Sequence, residues 1–278
     1  MRHFRDPSKS LIIFSISSDI GLALARCRLS QGWRVSGTYR HYSAAIAELE
    51  TMGAEIVQAD FTSRKTLSRA CHQLCEKMSN WDEIVLAPGI LEPIGIFNEL
   101  CFDEWSNSIH VNFINQLYVV HQMLAYRKNN ALVIFFAGGG TNGIADRFSA
   151  YTISKIALIK MTELLDSEIP DARFVVVGPG WIRTKIHDQT LRAREKAGNS
   201  FDETTRRLLV DDFGTMETVI DCLDWISVQN KSTISGRNIS VSYDGWGEEN
   251  FVKILRNSPD AGKLRRFSND LLNRNKSK

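Results

Sequence analysis

The chain has 278 residues, of which 43% are hydrophobic and 24% charged, a balance that supports a packed core and excludes a disordered polymer. Its 34 Lys and Arg against 32 Asp and Glu leave a formal charge of +2, too near neutral to mark a nucleic-acid or membrane-surface binder. No apolar run approaches the ~20 residues that span a bilayer, and the charged start over residues 1–10 lacks the apolar stretch of a secretory signal.

The first predicted element is an apolar strand over 11–15. It runs into Ser15-Ile16-Ser17-Ser18-Asp19-Ile20-Gly21 and then a helix over 20–31. A turn between a strand's carboxyl end and a helix N-terminus presents free N–H groups and a positive dipole end to an anion. Only Gly21 offers the bare backbone that a pyrophosphate normally approaches. An ordinary helix capped by Ser18 or Asp19 fits the same residues, and the Asp19 charge opposes a phosphate.

A strand over 34–38 ends in Tyr39-Arg40, followed by a helix over 43–52, a strand over 55–60 and a helix over 63–77. That last helix carries Cys71 and Cys75. The five cysteines (27, 71, 75, 101 and 222) include no Cys-x-x-Cys pair and no matching ligand cluster, which reads as free thiols in a reducing compartment, the cytoplasm, with no metal.

A strand over 83–87 leads to a long helix over 102–127, and a strand over 132–137 ends in Gly138-Gly139-Gly140. Next come a strongly periodic helix over 150–166, a strand over 173–178, and a polar stretch over 185–214 with Arg192, Arg194, Arg206 and Arg207. A last strand over 238–242 precedes a tail beyond Trp246 that holds Lys263-Leu264-Arg265-Arg266. Near-continuous Val/Ile/Phe runs mark strands buried on both faces. Their alternation with helices predicts one α/β domain over 10–245, a doubly wound, mostly parallel seven-stranded sheet with helices on both faces. Residues 246–278 form an extension. The 185–214 stretch follows the sixth strand on the ligand-binding edge of such sheets, where a substrate lid is expected.

Tyr151 and Lys155 open the 150–166 helix four residues apart, so both lie on one face. An ammonium beside a phenol favours the phenolate and lowers the tyrosine pKa from ~10, which suits proton transfer near neutral pH.

With these neighbours the sequence resembles the short-chain dehydrogenase/reductase family over about residues 10–245. Residues 15–21 stand where that family has its Thr-Gly-x-x-x-Gly-x-Gly turn. Asp60 follows the third strand, Leu86-Ala87-Pro88-Gly89 takes the Asn-Asn-Ala-Gly position, and Asn112 matches the catalytic asparagine. Tyr151 and Lys155 match the active-site pair, Pro179-Gly180-Trp181-Ile182-Arg183-Thr184 the turn beside the nicotinamide, and Ser235-Gly236-Arg237 the approach to the last strand.

The resemblance implies a nicotinamide cofactor held by Ser15, Ser17, Ser18, Ile20, Arg40, Asp60, Phe61, Ala87, Pro88, Gly89, Tyr151, Lys155, Pro179, Gly180, Ile182 and Thr184. Tyr151 would exchange a proton with an alcohol or carbonyl substrate. Lys155 would hold the ribose, and Asn112 a water linking Lys155 to solvent. Tyr39 stands where an acidic residue would bind a ribose 2′-hydroxyl and Arg40 follows it, which favours NADP over NAD. A homodimer or homotetramer is the family's usual assembly.

Three departures stand out. Two of the turn's three glycines are absent, the Asn-Asn pair is absent, and Gly138 stands where the family's catalytic serine would be, with Thr141 or Asn142 the nearest hydroxyl and amide in that loop. Losing a positioned donor costs on the order of 10²–10³ in rate. Two readings follow: an NADP-dependent oxidoreductase whose basic 185–214 stretch suits a sugar or other polar acidic compound, and a Rossmann-fold binding or regulatory protein that has lost turnover.

Overall fold

A computed structural model describes residues 9–266. The charged start before residue 9 and the tail after 266 lie outside the described residues.

β1 (Ser10–Phe14) leads to α1 (Asp19–Ser30), β2 (Arg34–Tyr39), α2 (Ala44–Thr51), β3 (Glu55–Gln58), α3 (Arg64–Lys77) and β4 (Trp81–Leu86). α4 (Phe102–Ile109), a π-turn (His110–Ile114) and α5 (Asn115–Met123) precede β5 (Arg127–Phe136) and α6 (Ser149–Glu168). β6 (Ala172–Gly178) is followed by α7 (His187–Ala193), α8 (Asn199–Val210), α9 (Met216–Ser227), α10 (Lys231–Ile234), β7 (Arg237–Ser240) and α11 (Glu249–Asn257).

All seven strands are parallel, in the order β3-β2-β1-β4-β5-β6-β7. Alternate residues of each strand enter opposite cores. Ile12, Phe14, Ile84, Leu86, Phe135 and Val176 pack under α3, α5 and α6. Leu11, Ile13, Val85, Ile134 and Val175 pack under α1, α2 and α9. Two-sided burial is why these strands read as unbroken apolar runs. The chain order reverses between β1 and β4, which opens a crevice at the strands' carboxyl ends.

Several boundaries differ from the sequence expectation. β5 begins at Arg127 rather than 132, because Arg127 pairs with Trp81 across a register shift and its guanidinium bonds Asp171 and the Leu124 carbonyl. β7 stops at Ser240, whose N–H turns to the Asp244 carboxylate. The single long helix expected over 102–127 is broken by the π-turn at His110–Ile114. The polar stretch at 185–214 is largely helical, as α7 and α8.

Part of the tail lies along the open side of β7. The Asn238 N–H donates to the Gly262 carbonyl at 2.7 Å, and the Arg237 guanidinium bonds the Leu255, Ser258 and Ala261 carbonyls. Trp246 donates to the Val241 carbonyl at 2.9 Å and packs on the α1/α9 core. Such a cover occupies an edge that would otherwise be free to pair with another chain.

Candidate active site

The crevice at the carboxyl edge has a volume of about 2110 Å³. That exceeds the ~300–1,000 Å³ typical of a drug-sized ligand and suits a dinucleotide with a second molecule beside it. Of the residues that sequence reasoning assigned to cofactor or catalysis, all but Asn112 line it.

Its floor on one side is the turn after β1. Ser15 takes a left-handed backbone (φ 63°), the conformation for which glycine is the usual residue, and its N–H is held by the Thr38 hydroxyl at 2.9 Å. Gly21 is kept where no side chain fits, since an added Cβ would lie 2.8 Å from the Ser15 carbonyl oxygen and 2.9 Å from that of Ile16. Ser18 is the cap of α1, its Oγ accepting from the Gly21 N–H at 3.1 Å. Asp19 therefore serves another purpose. Its carboxylate accepts from the Lys185 backbone N–H at 2.8 Å and lies 3.6 Å from the Lys185 ammonium, tying the turn to the stretch after Thr184. Sequence reasoning saw the charge of Asp19 but had no signal for a partner 166 residues away.

Arg40 is exposed at the crevice rim and makes no ion pair among the described residues. Asp60 accepts from the Thr62 N–H at 2.9 Å. The Phe61 ring turns into the core, edge-on to Phe14, so only its backbone remains for a ligand, while its carbonyl accepts from Asn115.

The first turn of α6 forms the opposite wall. Lys155 is 3% exposed, and its ammonium makes no hydrogen bond or ion pair among the described residues; it lies 5.7 Å from the centre of the Tyr151 ring. The Tyr151 hydroxyl likewise has no hydrogen-bond partner among them. Burial pushes Tyr151 up to about 12 and Lys155 down to about 8. This corrects the sequence expectation. Without a ligand, desolvation outweighs the pull of the ammonium on the phenol.

Asn112 sits in the π-turn, fully buried behind the crevice. Its side chain accepts from the Ile90 N–H at 3.0 Å and donates to the Ile90 carbonyl at 2.8 Å and to Ser108 at 3.1 Å. Gln116 donates to its backbone carbonyl at 2.8 Å. Asn112 thus pins the loop after β4. Gln189, which sequence reasoning missed, fastens the same loop by accepting from the Leu91 and Glu92 N–H groups at 2.8 and 3.3 Å.

After β5, the bare backbone of Gly138 lies against the Tyr151 ring, and Thr141 lines the crevice with no hydrogen bond among the described residues. Leu91, Ile94, Phe148 and Ala197 form an apolar cluster with Tyr151 and Ile186 packed on it. His187 stacks on Trp181 at 5.1 Å with its Nε2 2.9 Å from the Ile182 carbonyl; Phe213 closes on both rings. Arg207 covers the Trp181 ring at 4.6 Å and is paired with Glu203 and Asp212. Arg206 shares those two carboxylates, Arg192 lies 3.9 Å from Glu92, and Arg192, Arg194 and Arg206 all lie outside the crevice. Arg192, Arg206 and Arg207 are therefore paired with the chain's own acids, whereas Arg194 has no ion pair among the described residues.

A family model described as enoyl-(acyl carrier protein) reductase matches residues 16–244. The chain belongs to the short-chain dehydrogenase/reductase family. Similar proteins include an uncharacterised oxidoreductase of Schizosaccharomyces pombe, 26% identical over 182 residues that cover 64% of this chain and 72% of that one. An uncharacterised oxidoreductase of Saccharomyces cerevisiae is 27% identical over 145 residues, 52% of this chain and 56% of its own length. The crystal structure of a short-chain dehydrogenase/reductase from Saccharomyces cerevisiae superposes with a TM-score of 0.75 at 20% identity, over 88% of this chain and 98% of that one. An actinorhodin polyketide ketoreductase variant, solved with NADPH, gives 0.73 at 19% identity over 86% and 97%.

Proposed function

We propose that this protein is an NADP-dependent oxidoreductase that moves a hydride between the nicotinamide and the carbon of a small, uncharged alcohol or carbonyl compound. The observation that carries this reading is the Tyr151–Lys155 pair, Lys155 buried and Tyr151 half-buried, both polar ends without a hydrogen-bond partner among the described residues, lining the crevice at the sheet's carboxyl edge. A buried ammonium with no counter-charge is costly unless a ligand supplies its hydrogen bonds. The hydroxyls of a ribose supply them. The cofactor provides the hydride chemistry.

The residues of this chain do the rest. Lys155 holds the ribose, and once bonded its charge is stabilised and favours the Tyr151 phenolate. Tyr151 gives its proton to the substrate oxygen during reduction and takes it back during oxidation. Ser15, Ser17, Ser18 and Ile20 would offer backbone and hydroxyl donors to the pyrophosphate, and Asp60 and the Phe61 backbone would face the adenine. Ala87, Pro88 and Gly89 would flank the ribose, and Pro179, Gly180, Ile182 and Thr184 the nicotinamide. The unpaired Arg40 suits a ribose 2′-phosphate. Thr141 is the side-chain hydroxyl nearest in sequence to Gly138 that lines the crevice. The apolar wall of Leu91, Phe148 and Ile186 suits an uncharged substrate, with 185–214 as its lid.

Five free cysteines fit a cytoplasmic setting, and a homodimer or homotetramer belongs to the same reading. Among the described residues no helix is long and apolar enough to cross a membrane, and no cluster of His, Cys, Asp or Glu could hold a metal.

Fluorescence titration with NADPH and NADH, followed by turnover on a panel of neutral ketones, tests the proposal. NADPH is expected to bind more tightly, with Arg40→Ala weakening it about tenfold while leaving NADH unchanged. Binding of neither nucleotide at millimolar concentration would overturn it. The second reading, a binding or regulatory protein without turnover, would then stand, favoured by the Asp19 carboxylate at the helix N-terminus where phosphate would go.

A further inference from the structure

We infer that Gly138 is a positioning residue for Tyr151: the absence of a side chain at 138 is what seats the phenol in the crevice. This deepens the oxidoreductase reading and rests on it for its catalytic consequence. A Cβ added at Gly138 would lie 2.5 Å from Tyr151 Cε1, 2.6 Å from its hydroxyl oxygen and 2.8 Å from Cζ. Three contacts below 3.0 Å, all to one ring, mean that any other residue at 138 must displace the ring.

The ring has little freedom to yield sideways. It packs on the apolar cluster of Leu91, Ile94 and Phe148, and Tyr151 leaves the first turn of α6 one residue before Thr152. Thr152 is itself under the loop, since a Cβ at Gly140 would lie 2.6 Å from its methyl group. The glycine loop therefore rests directly on two successive helix residues. Gly139 between them has nothing within 4 Å of an added Cβ, so the steric demand is confined to 138 and 140.

The consequence runs against the simplest expectation. A hydroxyl at 138 would not restore a missing donor beside the phenol. Serine's Cβ would take the space the phenol fills and drive the proton donor from its seat. Gly138 is thus matched to the ring: the phenol fills the volume that a side chain at the end of β5 would occupy.

The test compares Gly138→Ser, Gly138→Ala and Gly139→Ser with the wild-type protein. Gly138→Ser and Gly138→Ala are expected to lose kcat alike, by about 10²-fold for an ~1 Å misplacement, with NADPH affinity kept within a few-fold. Ultraviolet titration, with Tyr151→Phe as the difference reference, reads the seat directly. Burial pushes Tyr151 up to about 12 in the wild type, and its titration should fall toward the ordinary ~10 in both Gly138 variants as the ring is exposed. It should stay put in Gly139→Ser. A gain in turnover for Gly138→Ser, or an unchanged Tyr151 titration, would overturn the inference.

Should Gly138→Ser fold poorly, a melting-temperature cycle decides. Gly138→Ala should cost stability with Tyr151 present and much less in a Tyr151→Ala background; equal costs in both overturn the inference. A protein that turns over no carbonyl would sink the oxidoreductase reading, while the titration and the cycle would still judge Gly138 separately.

Discussion

The two ends of the sheet treat buried charge in opposite ways. At the amino ends of the strands, the buried and half-buried cations Arg28, Arg173 and Lys231 are answered. Arg28, 3% exposed, lies 2.5 Å from Asp224, 3.8 Å from Glu83 and 4.3 Å above the Trp33 ring. Arg173 donates to the carbonyls of Asn130, Ser227 and Gln229. Lys231 meets Asp166 and the carbonyls of Ile169 and Ala172. Burial pushes Glu83 up, and Arg28, Arg173 and Lys9 pull it back. At the carboxyl ends, Lys155 is just as buried and has no such partner. The lesson is that burial alone does not mark a site. An unanswered buried charge does, because it is stable only when something else supplies the bonds.

Breaking the contrast at the carboxyl edge has the largest expected effect. Tyr151→Phe removes the proton donor and should lower kcat by about 10²–10⁴-fold. Steady-state assays should show this beside an NADPH affinity within a few-fold of wild type.

At the opposite edge, Arg28→Met leaves Glu83 as a buried carboxylate with Arg173 and Lys9 as its remaining cations. Urea unfolding should report a loss of about 3–5 kcal/mol, with cofactor affinity at the other end of the sheet unchanged. A small loss would mean that the amino-edge network is not what it looks like geometrically.

Lys155→Met sharpens the comparison by separating function from stability. It should abolish turnover yet stabilise the unliganded protein at neutral pH by about 1–3 kcal/mol, since it removes a charge that burial disfavours. The sign follows from the protons. Lys155 titrates at about 8 in the fold against 10.5 ordinarily. Between those values the unfolded chain binds the extra proton, so Lys155 makes stability rise with pH across the window. Melting curves from pH 7 to 10 should lose that rise in the variant.

The smallest effect concerns Asp19. Its carboxylate sits at the start of α1 and clasps Lys185 at 2.8 Å. Asp19→Gly should tighten NADPH binding by about tenfold, through loss of repulsion at a helix N-terminus. Isothermal titration checks this, and weaker binding would show instead that the clasp helps build the site.

Much of this arrangement was legible in the residues. The apolar middles of the strands gave their positions because two-sided burial demands them. Their ends did not, since Arg127 and Lys128 join β5 through pairing with β4 and not through apolar character. The π-turn around Asn112 left no periodic trace over five residues. Arg192, Arg206 and Arg207 looked available as charges along the chain and turned out to be held by Glu92, Glu203 and Asp212.

By itself the sequence determined the strand–helix alternation, the parallel sheet and the Tyr151–Lys155 pair, because periodicity and a four-residue helical spacing are local properties. Only the tertiary structure decided that Lys155 is buried and the pair's polar ends lack hydrogen-bond partners among the described residues, that Asp19 reaches Lys185, and that Gly138 lies within a Cβ's width of the Tyr151 ring. Those depend on which distant backbones come together, and a contact across the fold has no period for a sequence to display.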